Sequence, residues 1–568
     1  MHLTVSVGRR NLPLALLCVA CGFLFYDLGY TGLTSPDEAR YSEVAREMLT
    51  GSGWVVPLLN GEPRVNKPPL TYWALAFSYR LFGLKEWAGR LVPALAALCA
   101  VFLTVAWGTR ATGRTAGLMA GVATASSVFF LIVARLTITD MLLCFWFTGA
   151  VVSGLWALSG ARRNPLPVIA FFVFAAGGTL TKGPVALMLP GLIVLGACAW
   201  EKRWRSVHWP AFGFGAILYF LLSAPWFVLL ERALPGAARG FLLAENFDRF
   251  AKGVDHTGAS VFYYVPIILF GVLPWTTMAP GTFWRDARQS ASSTLAQQER
   301  FFVRSATLWW FLPFVFFTAS ATKLATYVLP CFPAMGLLLG RALAQQMETD
   351  QSGSVRRRSW ITSQGVLLAV LTVAGSVALV RETNLPERQV TALSIWILTA
   401  GVVGGTVAIA TARRWGTTVG VPILLIAHLL FIAGVMHAHA TLEPFEEMRP
   451  VALQLRALGE PTSALLCYGR YEPAMSFYLR RLIPTVKGDE LEQLLLREKR
   501  ILCIIGRNHE TEVTSRGWKT RRLAGNDDCS VLEIVANPPP SALLRPDLRA
   551  RSIAGKEFLR RDGPTRFP

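Results

Sequence analysis

The chain has 568 residues, 53% of them hydrophobic and only 16% charged, which excludes an ordinary soluble enzyme and indicates a polytopic α-helical membrane protein. Its formal net charge of +20 does not indicate nucleic acid. The Lys and Arg residues lie in short loops between apolar runs, as membrane topology requires.

About 20 apolar residues cross a hydrocarbon core, and short basic loops stay on the cytoplasmic side. With Arg9 and Arg10 inside, the first span covers residues 12–33. It leads into an acidic amphipathic segment instead of a small-residue cleavage site, so it reads as a retained helix. The second span, near residues 88–108, returns the chain to Arg110 and Arg114. Continued threading places Arg135 to Asp140, Lys182, Glu231 to His256, Lys323 and Arg381 to Arg388 outside. Arg162 with Arg163, Lys202 to Arg205, Arg285 to Arg304, Arg356 to Arg358 and Arg413 with Arg414 fall inside. About thirteen spans result, with the amino terminus cytoplasmic and everything after His439 periplasmic. The pair of short spans flanking Lys182-Gly183-Pro184 is the critical step, because one long helix there would invert every later loop.

Beyond residue 440 long spans cease. Short apolar runs such as Ile501 to Ile505 alternate with charged, helix-like stretches such as Asp489 to Arg500, the pattern of a small α/β domain over 441–537. Pro538-Pro539-Pro540 opens an Arg-rich tail, 538–568, suited to contact with anionic membrane lipids. The transmembrane domain is thus 1–440. Of nine cysteines, only Cys467, Cys503 and Cys529 lie in the outer domain; a disulfide between two of them would leave one thiol over, and spacing does not select the pair.

Every charged cluster that could do chemistry falls on the outer side. The first outer loop, 35–85, begins Ser35-Pro36-Asp37-Glu38 and continues as an amphipathic interfacial helix. Ser35, Pro36 and Glu38 fit a helix cap, and Asp37 is either a first-turn acid or a catalytic carboxylate. Lys67, fixed by Pro68 and Pro69 at membrane level, either snorkels or meets a lipid phosphate. Lys182 has the same two readings, and Lys323 with Tyr327 repeats the theme. Asp140 is either a helix cap or a second carboxylate facing Asp37. His256 stands without a second His at metal spacing. No Gly-rich nucleotide loop occurs, so sugar transfer outside the cytoplasm needs a lipid-carried donor.

Asp37 to Met48, Lys67-Pro68 with Tyr72-Trp73, Ala134-Arg135 with Asp140-Met141, Leu180 to Pro184, Glu245-Asn246-Phe247 with Arg249-Phe250, and Lys323-Leu324 with Tyr327 together resemble the GT-C type glycosyltransferases that use lipid-linked sugars. The strings are most similar to the aminoarabinose transferases of lipid A, and more distantly to protein O-mannosyltransferases. The resemblance implies thirteen membrane helices, interfacial helices in the first outer loop, an outer α/β domain, and inversion at the anomeric carbon. It implies an undecaprenyl-phosphate-linked sugar as donor, and lipid A or another glycolipid, a glycan or a protein as acceptor, at the bacterial inner membrane.

By position, Asp37 and Asp140 become the catalytic carboxylates, while Lys67, Lys323, Tyr327 and Lys182 hold the donor phosphate. Glu38, Arg40, Tyr41, Tyr72, Arg135, Glu245 and Arg249 fall to substrate binding. His256 matches a metal-ligand position, but Asn66 stands where the lipid A enzymes carry Glu, and a neutral amide is a poorer ligand for a divalent metal. A transporter or flippase, the rival class, predicts polar residues at mid-membrane in two related halves; the polar residues here gather at one end and no repeat is evident.

Overall fold

The computed structural model describes residues 2–535 except 35, 52, 161–163, 254–257, 292–294, 352–358, 382–386, 447, 458–464, 499 and 527–528. The expectations for His256, for Arg162 with Arg163, for Arg356 to Arg358 and for the tail lie outside the described residues. The chain forms two compact units, Met1–Leu453 with Glu472–Leu482, and Gln454–Tyr471 with Ile483–Pro568.

The first unit is helical apart from a short antiparallel ribbon, β1 (Leu58–Leu59) and β2 (Glu62–Pro63). Its first helices are α1 (His2–Phe23), α2 (Asp37–Leu49), α3 (Leu70–Phe82), α4 (Glu86–Thr112), α5 (Arg114–Ser126), α6 (Val128–Val133), α7 (Thr139–Ser159), α8 (Pro165–Lys182) and α9 (Val185–Trp200). Among the described residues nine helices are long and apolar enough to cross a membrane, and Asn11–Phe23 and Val185–Trp200 are shorter apolar helices.

The third and eighth predicted spans are interrupted. The third splits at Ser127 between α5 and α6; the eighth splits into Tyr264–Gly271 and Ala279–Ala291. The two breaks meet, with Val128 N donating to Leu273 O at 3.1 Å. A backbone group freed inside an apolar assembly needs such a partner, so one break satisfies the other.

The critical step at Lys182 is a true turn. Gly183 has φ +117°, and the side chains of Phe171 on α8 and Val194 on α9 both lie against Gly154 of α7, so the two helices fold back on each other. A Cβ on Gly183 would also meet the Asn246 side chain. Close helix packing elsewhere rests on small residues: in Gly336-Leu337-Leu338-Leu339-Gly340 the two glycines abut Thr124 and Ala120 of α5, as small-xxx-small contacts do in membranes.

Helix α2 is enclosed by protein on most sides, Glu38 through Met48 being nearly all buried. Its charges are met internally. Arg46 donates to both Glu43 oxygens at 2.7 Å, and Glu47 accepts from Asn60 N and Gly61 N. The helix Pro473–Leu479 covers this region, with Tyr478 Oη accepting from Leu33 N at 2.8 Å and Phe477 against Tyr79.

In the second unit β3 (Leu465–Tyr468), β4 (Thr485–Val486), β5 (Arg500–Gly506), β6 (Lys519–Gly525) and β7 (Cys529–Val535) form one sheet of order β4-β3-β5-β7-β6. β3 pairs in parallel with β4 and β5, and β7 runs antiparallel to β5 and β6. Ile501 to Ile505 are buried on both faces, the mark of a covered central strand. Cys467, Cys503 and Cys529 are all buried.

Candidate active site

Five sequence-distant segments converge in the first unit. Pro68 and Pro69 set the chain into α3 immediately after Lys67. The half-buried Lys67 donates through Nζ to Asn66 O at 2.8 Å, and Nζ lies 3.5 Å from Glu245 Oε2. Glu245 sits in the π-helical segment Phe241–Asp248 and also meets Arg249 Nε at 3.3 Å. Lys182 ends α8, where a cation suits the helix dipole, and Asp140 lies in the first turn of α7, where an anion does. Lys182 Nζ donates to Asp140 Oδ1 at 2.5 Å and stands 4.8 Å from the centre of the Tyr327 ring.

Lys67, Lys182, Glu245, Arg249 and Tyr327 line one cleft of about 460 Å³. Leu242, Met188, Phe247, Phe250, Phe316 and Phe317 complete it with apolar wall. Three cations stand against the carboxylates of Glu245 and Asp140, an excess of positive charge that suits a phosphate on a hydrocarbon chain. Burial pushes the Lys67 ammonium down to about 8, with Glu245 pulling the other way.

The remaining predicted residues distribute as follows. Tyr41 of α2 stacks on Tyr72 of α3, ring centres 5.5 Å apart, and lies beside Thr139 and Asp140. Asp37 is one helical turn before Tyr41, its side chain 71% exposed and 3.5 Å from Arg40; neither lines the cleft. Glu38 has its oxygens engaged by Arg90 at 2.8 Å and by the N–H groups of Thr137 and Thr34. Burial alone would raise its pKa, but these partners hold Glu38 below the usual carboxylate range. Arg135 donates to Phe23 O and Asp27 O. The buried Lys323 does not itself line the cleft; its ammonium donates at 2.7 Å to the carbonyl of Ser320, which does.

Asn66 Oδ1 is buried without a hydrogen-bond partner, yet it is one neutral donor. Among the described residues no three His, Cys, Asp or Glu side chains come together as metal ligands. Among the described residues, which leave out His256, the donors make no set that fits a divalent cation.

A family model described as dolichyl-phosphate-mannose-protein mannosyltransferase matches residues 66–228. The undecaprenyl phosphate-α-4-amino-4-deoxy-L-arabinose arabinosyl transferase 2 of Pseudomonas fluorescens is 32% identical over 66% of this chain and 62% of its own length. The arabinosyl transferase of Yersinia pestis strain Pestoides F is 30% identical over 69% of this chain and 71% of its own. The chain belongs to this arabinosyl transferase family.

The arabinosyl transferase fold is matched by ArnT from Cupriavidus metallidurans bound to undecaprenyl phosphate. That structure superposes with TM-score 0.78 at 23% identity, covering 93% of this chain and 99% of the other. The chain spans less than two thirds of the length of the first relatives, 62% for Pseudomonas fluorescens and 66% for Pseudomonas aeruginosa.

For this member of the arabinosyl transferase family, sequence reasoning missed Arg64, which lies within electrostatic reach of both Tyr41 and Tyr72. Its position three residues before Lys67 in the same outer loop was the available signal. Thr326, beside Asp140, and the aromatic wall of the cleft were also missed, since apolar residues of a membrane protein carry no distinguishing pattern.

Proposed function

We propose that the protein is an inverting glycosyltransferase, moving an aminoarabinose-like or related sugar from undecaprenyl phosphate to lipid A or a related glycolipid at the periplasmic face of the inner membrane. The basic loops support about thirteen crossings with a cytoplasmic amino terminus and a periplasmic domain over 441–537. The observation that carries the reading is the cleft, whose cationic lining and apolar wall together suit a prenyl phosphate and little else.

In the proposed reaction the donor phosphate lies against Lys67, Arg249 and Lys182, with the Tyr327 hydroxyl as a further donor, and the prenyl chain runs along Phe247, Phe250 and Phe316. An acceptor oxygen attacks the anomeric carbon from the face opposite the phosphate. The new C–O bond forms as the bond to phosphate breaks, and its electron pair leaves with undecaprenyl phosphate. The cations neutralise the charge that grows on the leaving oxygen. A phosphate acceptor is already ionised and needs no base; a hydroxyl acceptor would give its proton to Asp37. Asp140 holds Lys182 in place and stabilises positive charge on the sugar ring.

Purified protein given undecaprenyl-phosphate-linked aminoarabinose and lipid A is expected to yield lipid A heavier by one sugar in mass spectrometry. Transfer only to a protein or glycan hydroxyl would favour the mannosyltransferase-like alternative. Absence of transfer from any prenyl-phosphate sugar, with undecaprenyl phosphate unbound, would refute the assignment.

A further inference from the structure

A second cavity, of about 240 Å³, shares no lining residue with the cleft. It is bounded by the end of α1 and the residues after it, by Arg90 of α4, by residues around Arg135, and by the helix Thr417–Glu446. Phe23, Leu131, Ile132, Ile432 and Met436 supply an apolar wall, and Tyr30, Arg135, His437 and His439 supply hydrogen-bond donors. At its edge Ile132 and Tyr30 are 48% and 45% exposed, so a hydrocarbon chain could leave the cavity without clashing.

The charges here are unequally matched. Glu38 neutralises Arg90 in a buried pair at 2.8 Å. Among the described residues Arg135 bonds only the neutral carbonyls of Phe23 and Asp27, and the Asp27 carboxylate, though in the cavity, is not within ion-pair distance. Burial pushes Arg135 down to about 10, with Asp27 compensating only in part. A guanidinium held in this way has donor capacity left for a planar or tetrahedral oxyanion.

Glu38 links the wall of this cavity to the segment that carries the Asp140–Lys182 pair. One oxygen accepts from Thr34 N on the cavity wall, the other from Thr137 N, three residues before Asp140. The next residue back along the chain is Asp37.

We infer that this cavity binds the phosphate headgroup of an amphipathic lipid and is the acceptor site of the transferase. The assignment rests on the function proposed above. Donor and acceptor then enter from two separate cavities, and Arg135 fixes the acceptor phosphate.

The test uses the full-length protein in detergent, probed by native mass spectrometry with lipid A, fully dephosphorylated lipid A and phosphatidylglycerol, alongside steady-state transfer. Wild type should retain lipid A in preference to both other lipids. Arg135→Gln should raise KM for lipid A about tenfold or more, leave KM for the donor within about twofold, and erase the preference for the phosphorylated form. Arg135→Lys should restore part of it, which a folding defect would not. Lys67→Ala should raise the donor KM and leave lipid A retention intact. Unchanged lipid A retention and KM in Arg135→Gln would overturn the inference, as would equal retention of phosphatidylglycerol. Arg135-dependent retention of lipid A without transfer would uphold the phosphate site and refute the acceptor reading alone.

Discussion

Asp140 and Lys182, on different helices, hold each other at 2.5 Å with side chains 11% and 13% exposed. Neither charge is buried alone, and that is what permits Lys182 at the wall of a largely apolar cleft with Asp140 behind it. The pair also holds the ammonium against the Tyr327 ring.

Breaking the pair from one side should be worse than removing it. Asp140→Asn or Lys182→Gln leaves one uncompensated buried charge and is expected to lower stability by about 3–5 kcal/mol. The double variant should recover most of that loss in thermal unfolding while remaining inactive. Additive losses would show the two charges to be uncoupled.

Lys67 sets a pH dependence with opposite signs for binding and folding. Its ammonium, ordinarily near 10.5, sits at about 8 in the folded protein. The donor KM should therefore rise as pH passes 8 and the charge is lost. Between pH 8 and 10.5 the unfolded chain holds more protons than the folded one, so Lys67 makes stability rise with pH over that window. Lys67→Arg should remove the break near pH 8 in kcat/KM; a break that persists would assign it to another group.

Much of this site was legible in the sequence because charge is conspicuous in an apolar chain. Lys67, Lys182, Glu245, Arg249 and Tyr327 could be grouped by threading alone, and they line one cleft. Lys323 shared every sequence property of that set, yet its ammonium turns to the Ser320 carbonyl, a choice made by local backbone geometry. The two interrupted spans were hidden because a break satisfied by another break leaves the hydropathy of each segment unchanged. The partners of the charged residues on helix α2, Arg90 and the Asn60 and Gly61 amides, lie too far along the chain for periodicity to reveal.

Glu38 and Asp37 are adjacent but should behave as opposites. Glu38→Gln leaves Arg90 buried without its counter-charge and is expected to destabilise by about 3–5 kcal/mol. Because the folded pKa of Glu38 lies below its ordinary 4.5, the stability it confers is present above that value and lost as pH falls through the folded pKa. Thermal melts of wild type and Glu38→Gln from pH 7 to pH 3 should converge.

Asp37→Asn, at a largely exposed position, should melt with wild type. Transfer to a hydroxyl acceptor should fall about a hundredfold or more if Asp37 takes the proton, with the donor KM unchanged. Retained turnover would remove Asp37 from the chemistry.

An experimental structure of the full-length protein with undecaprenyl phosphate tests the account most directly. The phosphate is expected between Lys67, Arg249 and Tyr327, with the prenyl chain along Phe247, Phe250 and Phe316. A phosphate seated against Arg135 instead, with the Lys67 cleft empty, would contradict it.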